Sequence, residues 1–167
     1  MKFWFDTEFI EDGKTIDLIS IGVVAEDGRE FYAESNECDL SRASDWVKAN
    51  VIPHLVHSYD GRIHMSRTAI GEKLIEFMGA KPEIWAYYAD YDWVALCQLY
   101  GTMMDLPKGW PMYCRDVKQL CDSLGNPRLP KQSTTEHNAL ADARWTKEAW
   151  AFLQTVASES RTENCLF

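Results

Sequence analysis

Apolar positions open the chain in two close runs. Residues 2–6 are short and aromatic, and residues 15–25 are rich in Ile, Leu and Val. Both read as strands. Asp27-Gly28 then separates the second run from Arg29-Glu30-Phe31-Tyr32-Ala33, the pattern of a hairpin turn between strands. After that the period changes. Trp46, Val47 and Val51 fall at helical spacing within 41–56, where Pro53 ends or kinks the helix. Ile70, Leu74, Ile75, Phe77 and Met78 repeat the spacing within 66–78, closed by Gly79. A third apolar strand, 83–88, precedes Asp90 as candidate N-cap of a helix through Tyr100, which Gly101 ends. Residues 115–124 read as another helix, stopped by Gly125-Asn126-Pro127. A polar loop reaches about Glu136, the last helix runs over about 138–156, and a polar tail begins near Ser158.

Strands first, then helices alternating with strands, predict an α/β domain: a mixed central sheet with helices packed around it. With 167 residues and neither repeat nor linker, residues 1–167 are expected to form one domain. Seven each of Trp, Tyr and Phe within a 46% apolar composition are ample for a core and exclude a disordered chain.

Charge narrows the function classes. Lys and Arg number 17 against 26 Asp and Glu, a formal net of −9. Such a chain repels polyanions and anionic lipid, which excludes a non-specific nucleic-acid coat. An enzyme that gathers carboxylates around cations stays open, because bound metal reverses the local field. The amino terminus meets an acid at Asp6, so it has no signal-peptide core, and no run approaches the roughly 20 apolar residues of a membrane span. The five cysteines, with no C-x-x-C pair, read as reduced thiols. A cytoplasmic chain without membrane contact is expected.

Three places carry candidate chemistry. Asp6-Thr7-Glu8 follows the first apolar run, and strand alternation points Asp6 and Glu8 to the same face about 7 Å apart. Two buried carboxylates repel unless a cation neutralises them, and hard oxygen ligands suit Mg²⁺ or Mn²⁺. Asp92 falls in the first turn of a helix that follows a strand's carboxyl end, where ligands of open sheets gather. His137 and Asp142, five apart, would sit about 140° apart on one helix. They converge only if His137 lies in the loop before it, where a histidine suits a general base. His54 and His57 form an H-x-x-H pair, but Pro53 and the lack of a third ligand make them surface residues.

In this order, Asp6, Glu8, Asp92, His137 and Asp142 resemble the DEDDh exonucleases, the DnaQ-like branch of the ribonuclease H-like fold. Phe5-Asp6-Thr7-Glu8 is similar to that family's first motif, Tyr91-Asp92 with Leu96 to its second, and His137 through Asp142 to its third. The stretches 5–13, 18–30 and 91–96 are most similar to the ribonuclease AS group, polyadenylate-specific 3′-exoribonucleases. Tyr88, where many relatives have Asn, and Phe9-Ile10-Glu11 in place of Thr-Gly-Leu, fit that group.

The resemblance implies stepwise 3′→5′ hydrolysis from the 3′ end of single-stranded RNA, releasing nucleoside 5′-monophosphates. It implies two Mg²⁺ ions, with Mn²⁺ able to substitute: Asp6 bridging, Glu8 and Asp142 on the water-activating ion, Asp92 on the other, and His137 as base. The Glu8-Phe9-Ile10 backbone would approach the terminal nucleotide, with Ser20 shaping that pocket and Asn138 beside it. Phe9, Tyr91 and Trp93 are base-stacking candidates, whereas Trp4, Trp85 and Trp150 read as core or interface. Relatives are commonly homodimers, and the aromatic surplus permits one. A DNA exonuclease shares the same chemistry and remains an alternative, as does an inactive nucleic-acid-binding module.

Overall fold

The computed structural model describes residues 1–56, 61–133 and 135–164, with side chains through 159. β1 (Lys2–Glu11) and β2 (Ile16–Ala25) pair antiparallel along their whole length, with a bulge at Glu8/Phe9. β1 therefore runs five residues past the apolar run 2–6, and Asp6 and Glu8 lie inside the strand rather than at its end. The β2 ladder supplies the reason: its partner backbone continues as far as Ile16, so pairing does not stop where hydrophobicity does. β3 (Glu30–Ser35) follows through the expected Asp27-Gly28 turn, with Gly28 at φ +91°.

β5 (Glu83–Ala86) lies parallel to β1, and β6 (Arg115–Asp116) parallel to β5. β4 (His64–Met65) adds a short parallel edge to β3. The order β4-β3-β2-β1-β5-β6 is a mixed sheet, as the alternation of elements implies. β1 is central, so whatever its carboxyl half carries is presented to helices from both halves of the chain.

Phe3, Phe5, Ile21 and Val23 pack with Ile70 and Leu74 of α2 (Arg67–Met78) and Ala95 and Leu96 of α3 (Asp90–Gln98). α5 (Ala139–Asn164) crosses β1 and β2, with Trp4 against Trp150 at 5.1 Å between ring centroids. Val117 and Cys121 of α4 (Val117–Ser123) pack with Ala149 and Leu153 of α5. The close approach of α5 depends on Gly22. A Cβ there would lie 2.3 Å from the Leu140 nitrogen and 2.4 Å from the Ala139 carbonyl carbon. Only glycine lets the first turn of α5 rest on β2 opposite Asp6, the cross-strand partner of Gly22.

Local details depart from the sequence expectations. Residues 41–56 are not one helix: α1 (Asp45–Asn50), capped by Ser44, lies between 3₁₀ turns at Leu40–Arg42 and Ile52–His54. Pro53 sits in the second turn, where its missing N–H is tolerated. Asp90 is not the cap of α3. Ala89 holds that position, and its N–H is bonded instead by Asp116 Oδ2 at 2.9 Å. The strand expected over 83–88 ends at Ala86, and a two-residue strand precedes α4. α5 continues through Asn164, so the polar stretch from Ser158 is helical rather than a separate tail. Cys38, Cys97, Cys114 and Cys121 are free thiols; Cys165 and His57 lie outside the described residues. No helix among the described residues is long and apolar enough to cross a membrane.

Candidate active site

β1 brings Asp6 and Glu8 to the face that α5 covers, across from Gly22 and Ser20. Thr7, between them, points the other way. Its backbone N–H and hydroxyl both donate to Asp92 Oδ1, at 2.8 and 2.6 Å. That pair anchors the first turn of α3 to the strand. From the other side His137 sits just before α5 with φ +63°, and its backbone N–H donates to Asp142 Oδ2 at 2.9 Å. The left-handed residue folds the chain back so that the loop histidine and a helical carboxylate face the same space, the convergence a five-residue spacing needs.

The four acids and the histidine line one cleft of about 490 Å³, together with Phe9, Tyr91, Trp46, Tyr87 and Tyr88. Ligand atoms of Glu8, His137 and Asp142 lie within 4.8 Å of one another. The carboxyls share an unfavourable environment. Burial raises Asp6 well above the usual range, and the neighbouring charges of Asp92, Glu8 and Asp142 raise it further. Burial, then Asp142 and Asp92, push Glu8 up to about 8. Asp92 is raised to about 6 by burial, although the Thr7 bonds oppose the rise. Burial also raises Asp142, against the bonds from Gln132 and His137. Carboxylates crowded in this way fit a cation, whose charge would restore their ionised forms. No Lys or Arg is among the described residues that line the cleft.

Of the substrate-contact candidates, Phe9 and Tyr91 lie in the cleft with their rings 5.8 Å apart, and Tyr91 is exposed. Four others do not line it. Ile10 is buried against Ile19, Val47 and Val51. Ser20 is fully buried across from Glu8. Trp93 turns to a separate groove with Met103, Met112 and Tyr113, because the helical turn from Asp92 to Trp93 rotates it off the cleft face. Asn138 is a structural tie: its Oδ1 accepts from Ala141 N–H and its Nδ2 donates to the His54 carbonyl.

Sequence reasoning missed Thr7, Trp46 and Tyr88. Trp46 shares helical spacing with Val47 and Val51, yet only the valines are buried; its ring is exposed and meets His137. Tyr88 is exposed at φ +56°. A bulky aromatic in left-handed backbone directly before a helix is a signal visible only in the structure.

The family described as the 3′-5′ exoribonuclease Rv2179c-like domain matches residues 1–154. The chain belongs to this family. The 3′-5′ exoribonuclease Rv2179c of Mycobacterium tuberculosis (strain ATCC 25618 / H37Rv) is 48% identical to the Rv2179c-like chain over 148 residues, 86% of this chain and 88% of the relative. The 3′-5′ exoribonuclease MT2234.1 of strain CDC 1551 / Oshkosh matches to the same extent. E. coli exonuclease I, solved with a dT13 oligonucleotide, superposes on 99% of the chain with TM-score 0.61 at 13% identity. Apo exonuclease I does so over 91% with TM-score 0.58, also at 13% identity. The Rv2179c-like chain spans about two-fifths of the length of those two structures, 43% and 41%. The likeness is one of fold, the ribonuclease H-like nuclease fold, and it matches the mixed sheet expected from the sequence.

Proposed function

We propose that this Rv2179c-like domain is a DEDDh-type 3′→5′ exoribonuclease of the ribonuclease AS kind, which removes nucleoside 5′-monophosphates from single-stranded RNA and prefers adenylate. One observation carries the reading: four carboxylates and a histidine from β1, α3 and the start of α5 converge in one cleft, with Asp6, Glu8 and Asp92 all held above their ordinary range. Asp6, Glu8, Asp92 and Asp142 would hold two divalent cations, Mg²⁺ or Mn²⁺. Such ions supply Lewis-acid stabilisation of the phosphate's charge and lower the pKa of water.

The chain's own residues do the rest. His137, within reach of the Glu8 and Asp142 oxygens, takes the proton from the attacking water. Thr7 holds Asp92, and the His137 N–H holds Asp142, so both acids are fixed before substrate arrives. Phe9 and Tyr91, with Tyr88 beside them, offer ring faces to the terminal bases, and the large face of a purine suits them. The exposed Met103, Met112 and Tyr113 around the Trp93 groove support a homodimer, and the composition supports a cytoplasmic enzyme.

The test is incubation of pure protein with 5′-labelled oligo(A) RNA and matched DNA, with Mg²⁺ or EDTA, beside Asp6→Ala. A metal-dependent ladder shrinking from the RNA 3′ end and absent in the variant is expected. Preferential cleavage of DNA would make the enzyme a DNA exonuclease. No cleavage of either strand would leave the binding-module reading.

A further inference from the structure

Among the described residues, the His137 imidazole is oriented without the usual hydrogen-bonded third group. A catalytic base is commonly held by a partner on its far ring nitrogen. Among the described residues no side chain hydrogen-bonds either nitrogen of His137, and its backbone N–H is already bonded to Asp142. The ring instead meets the Trp46 indole, with centroids 4.8 Å apart and planes at 77°.

Three features separate this contact from ordinary packing. The first is exposure: Trp46 is 54% exposed, whereas α1 is anchored by Val47 and Val51 against Ile10 and Ile19. The fold thus gains little from an indole there. The second is a fixed spacing. Ser44 caps α1 through Val47 N–H, and Asn138 Nδ2 donates to the His54 carbonyl at 3.1 Å, which ties the end of that segment to the residue after His137. The third is the backbone of His137, whose left-handed conformation at φ +63° is uncommon for a residue other than glycine and is held by the bond from its N–H to Asp142. Edge-to-face contact between rings biases a rotamer population by about twofold to tenfold.

We infer that Trp46 is a positioning residue for His137, holding the imidazole directed into the cleft. This inference rests on the reading of His137 as the general base. Trp46 also lines the cleft, so a base-stacking role is the competing account, and the two differ in where the loss is felt.

Steady-state and single-turnover cleavage of 5′-labelled oligo(A) RNA at saturating Mg²⁺ decides it, on Trp46→Leu, Trp46→Phe, His137→Ala and the Trp46→Leu/His137→Ala double variant. Expected is a kcat lower by about threefold to tenfold for Trp46→Leu with KM within about twofold, and recovery of most of the rate in Trp46→Phe. In the His137→Ala background Trp46→Leu is expected to change nothing further, as for two residues acting as one unit. Thermal unfolding of all four variants confirms that they are folded. A loss carried by KM, or one that persists at full size without His137, overturns the positioning role and leaves the base reading intact. Undiminished turnover in His137→Ala overturns the base reading, and the inference with it.

Discussion

Thr7 and Asp92 are 85 residues apart, and Thr7 gives both its hydrogen-bond donors to a single Asp92 oxygen, Oδ1. Asp92 itself lines the cleft. Thr7→Val keeps the shape and the backbone bond but removes the hydroxyl. The Mg²⁺ concentration for half-maximal activity is expected to rise about tenfold, the lower range for losing a metal site's outer partner. Stability should fall by about 1 kcal/mol. Thr7→Ser should restore the metal response; a titration of activity against Mg²⁺ that superposes on wild type would show that the hydroxyl does not position Asp92.

Asp6 is the acid most burdened by its neighbours, raised by burial and by three other carboxyls. Asp6→Asn removes that repulsion together with one of the carboxylates that would hold a cation. Turnover should drop by more than about 100-fold, beyond what outer partners of a metal contribute. The unfolding midpoint of the metal-free protein should stay level or rise. Loss of stability with retained turnover would make Asp6 a structural residue.

Much of the fold was legible because β1, β2 and α2 carry their periodicity openly, and because Asp27-Gly28 is a strong turn signal. Asp6 and Glu8 were legible because carboxylates after an apolar run are expensive without a cation, whereas Asp92, His137 and Asp142 were legible only through their order with that pair and its resemblance to a known family. Long-range effects were not. Pairing with β2 carried β1 beyond Asp6, and α3 begins one residue earlier than an Asp90 cap would allow, after Ala89 and with no side-chain cap. Trp46 could not be separated from Val47 and Val51 by spacing alone, since a six-residue helix gives too few turns to define a face. Ser20 and Ile10 are near the acids in sequence or register, yet the sheet turns them into its interior.

The raised carboxyls make stability depend on pH in a defined direction. Glu8 ordinarily titrates near 4.5 and is pushed up to about 8, so between these values the folded state binds more protons than the unfolded one. Its contribution is fully present below pH 4.5 and lost as pH rises to 8. In EDTA the unfolding midpoint should therefore fall from about pH 5 to pH 8, by about 2–4 °C for each kcal/mol lost. Mg²⁺ should reverse the fall, and its stabilisation should grow with pH. Melting curves across that range check it. A midpoint rising with pH in EDTA, or an Mg²⁺ effect independent of pH, would contradict the crowded-carboxylate account.

A cleft lined without Lys or Arg among the described residues, in a chain of net charge −9, should make few direct phosphate contacts. Binding of single-stranded RNA by an inactive variant in Ca²⁺ should then have a shallow salt dependence. The slope of log K against log[salt] is expected to be no steeper than about −2, that of two or three contacts on a single strand. Fluorescence anisotropy from low to moderate salt gives the slope. A value several times steeper would reveal a basic track outside the cleft.

Gly22 links the fold to the site through the space it leaves. An added Cβ would meet the backbone of Ala139 and Leu140 at 2.3 to 2.4 Å, closer than atoms can stay, so the start of α5 must lift from β2. Asp142 lies one turn further along that helix, and the His137 N–H is bonded to it. Gly22→Ala should therefore cost about 1–3 kcal/mol as overpacking does, and should also lower turnover by more than about tenfold at temperatures where the variant is fully folded. Ile70→Val, in α2 on the opposite layer, gives the control: it destabilises by about 1 kcal/mol through a lost methylene but leaves the acids in place. Turnover measured well below both unfolding midpoints separates the two effects. If Gly22→Ala were as active as Ile70→Val, the approach of α5 to β2 would be a packing feature alone, and the alignment of Asp142 would have to come from its bonds with Gln132 and the His137 N–H instead.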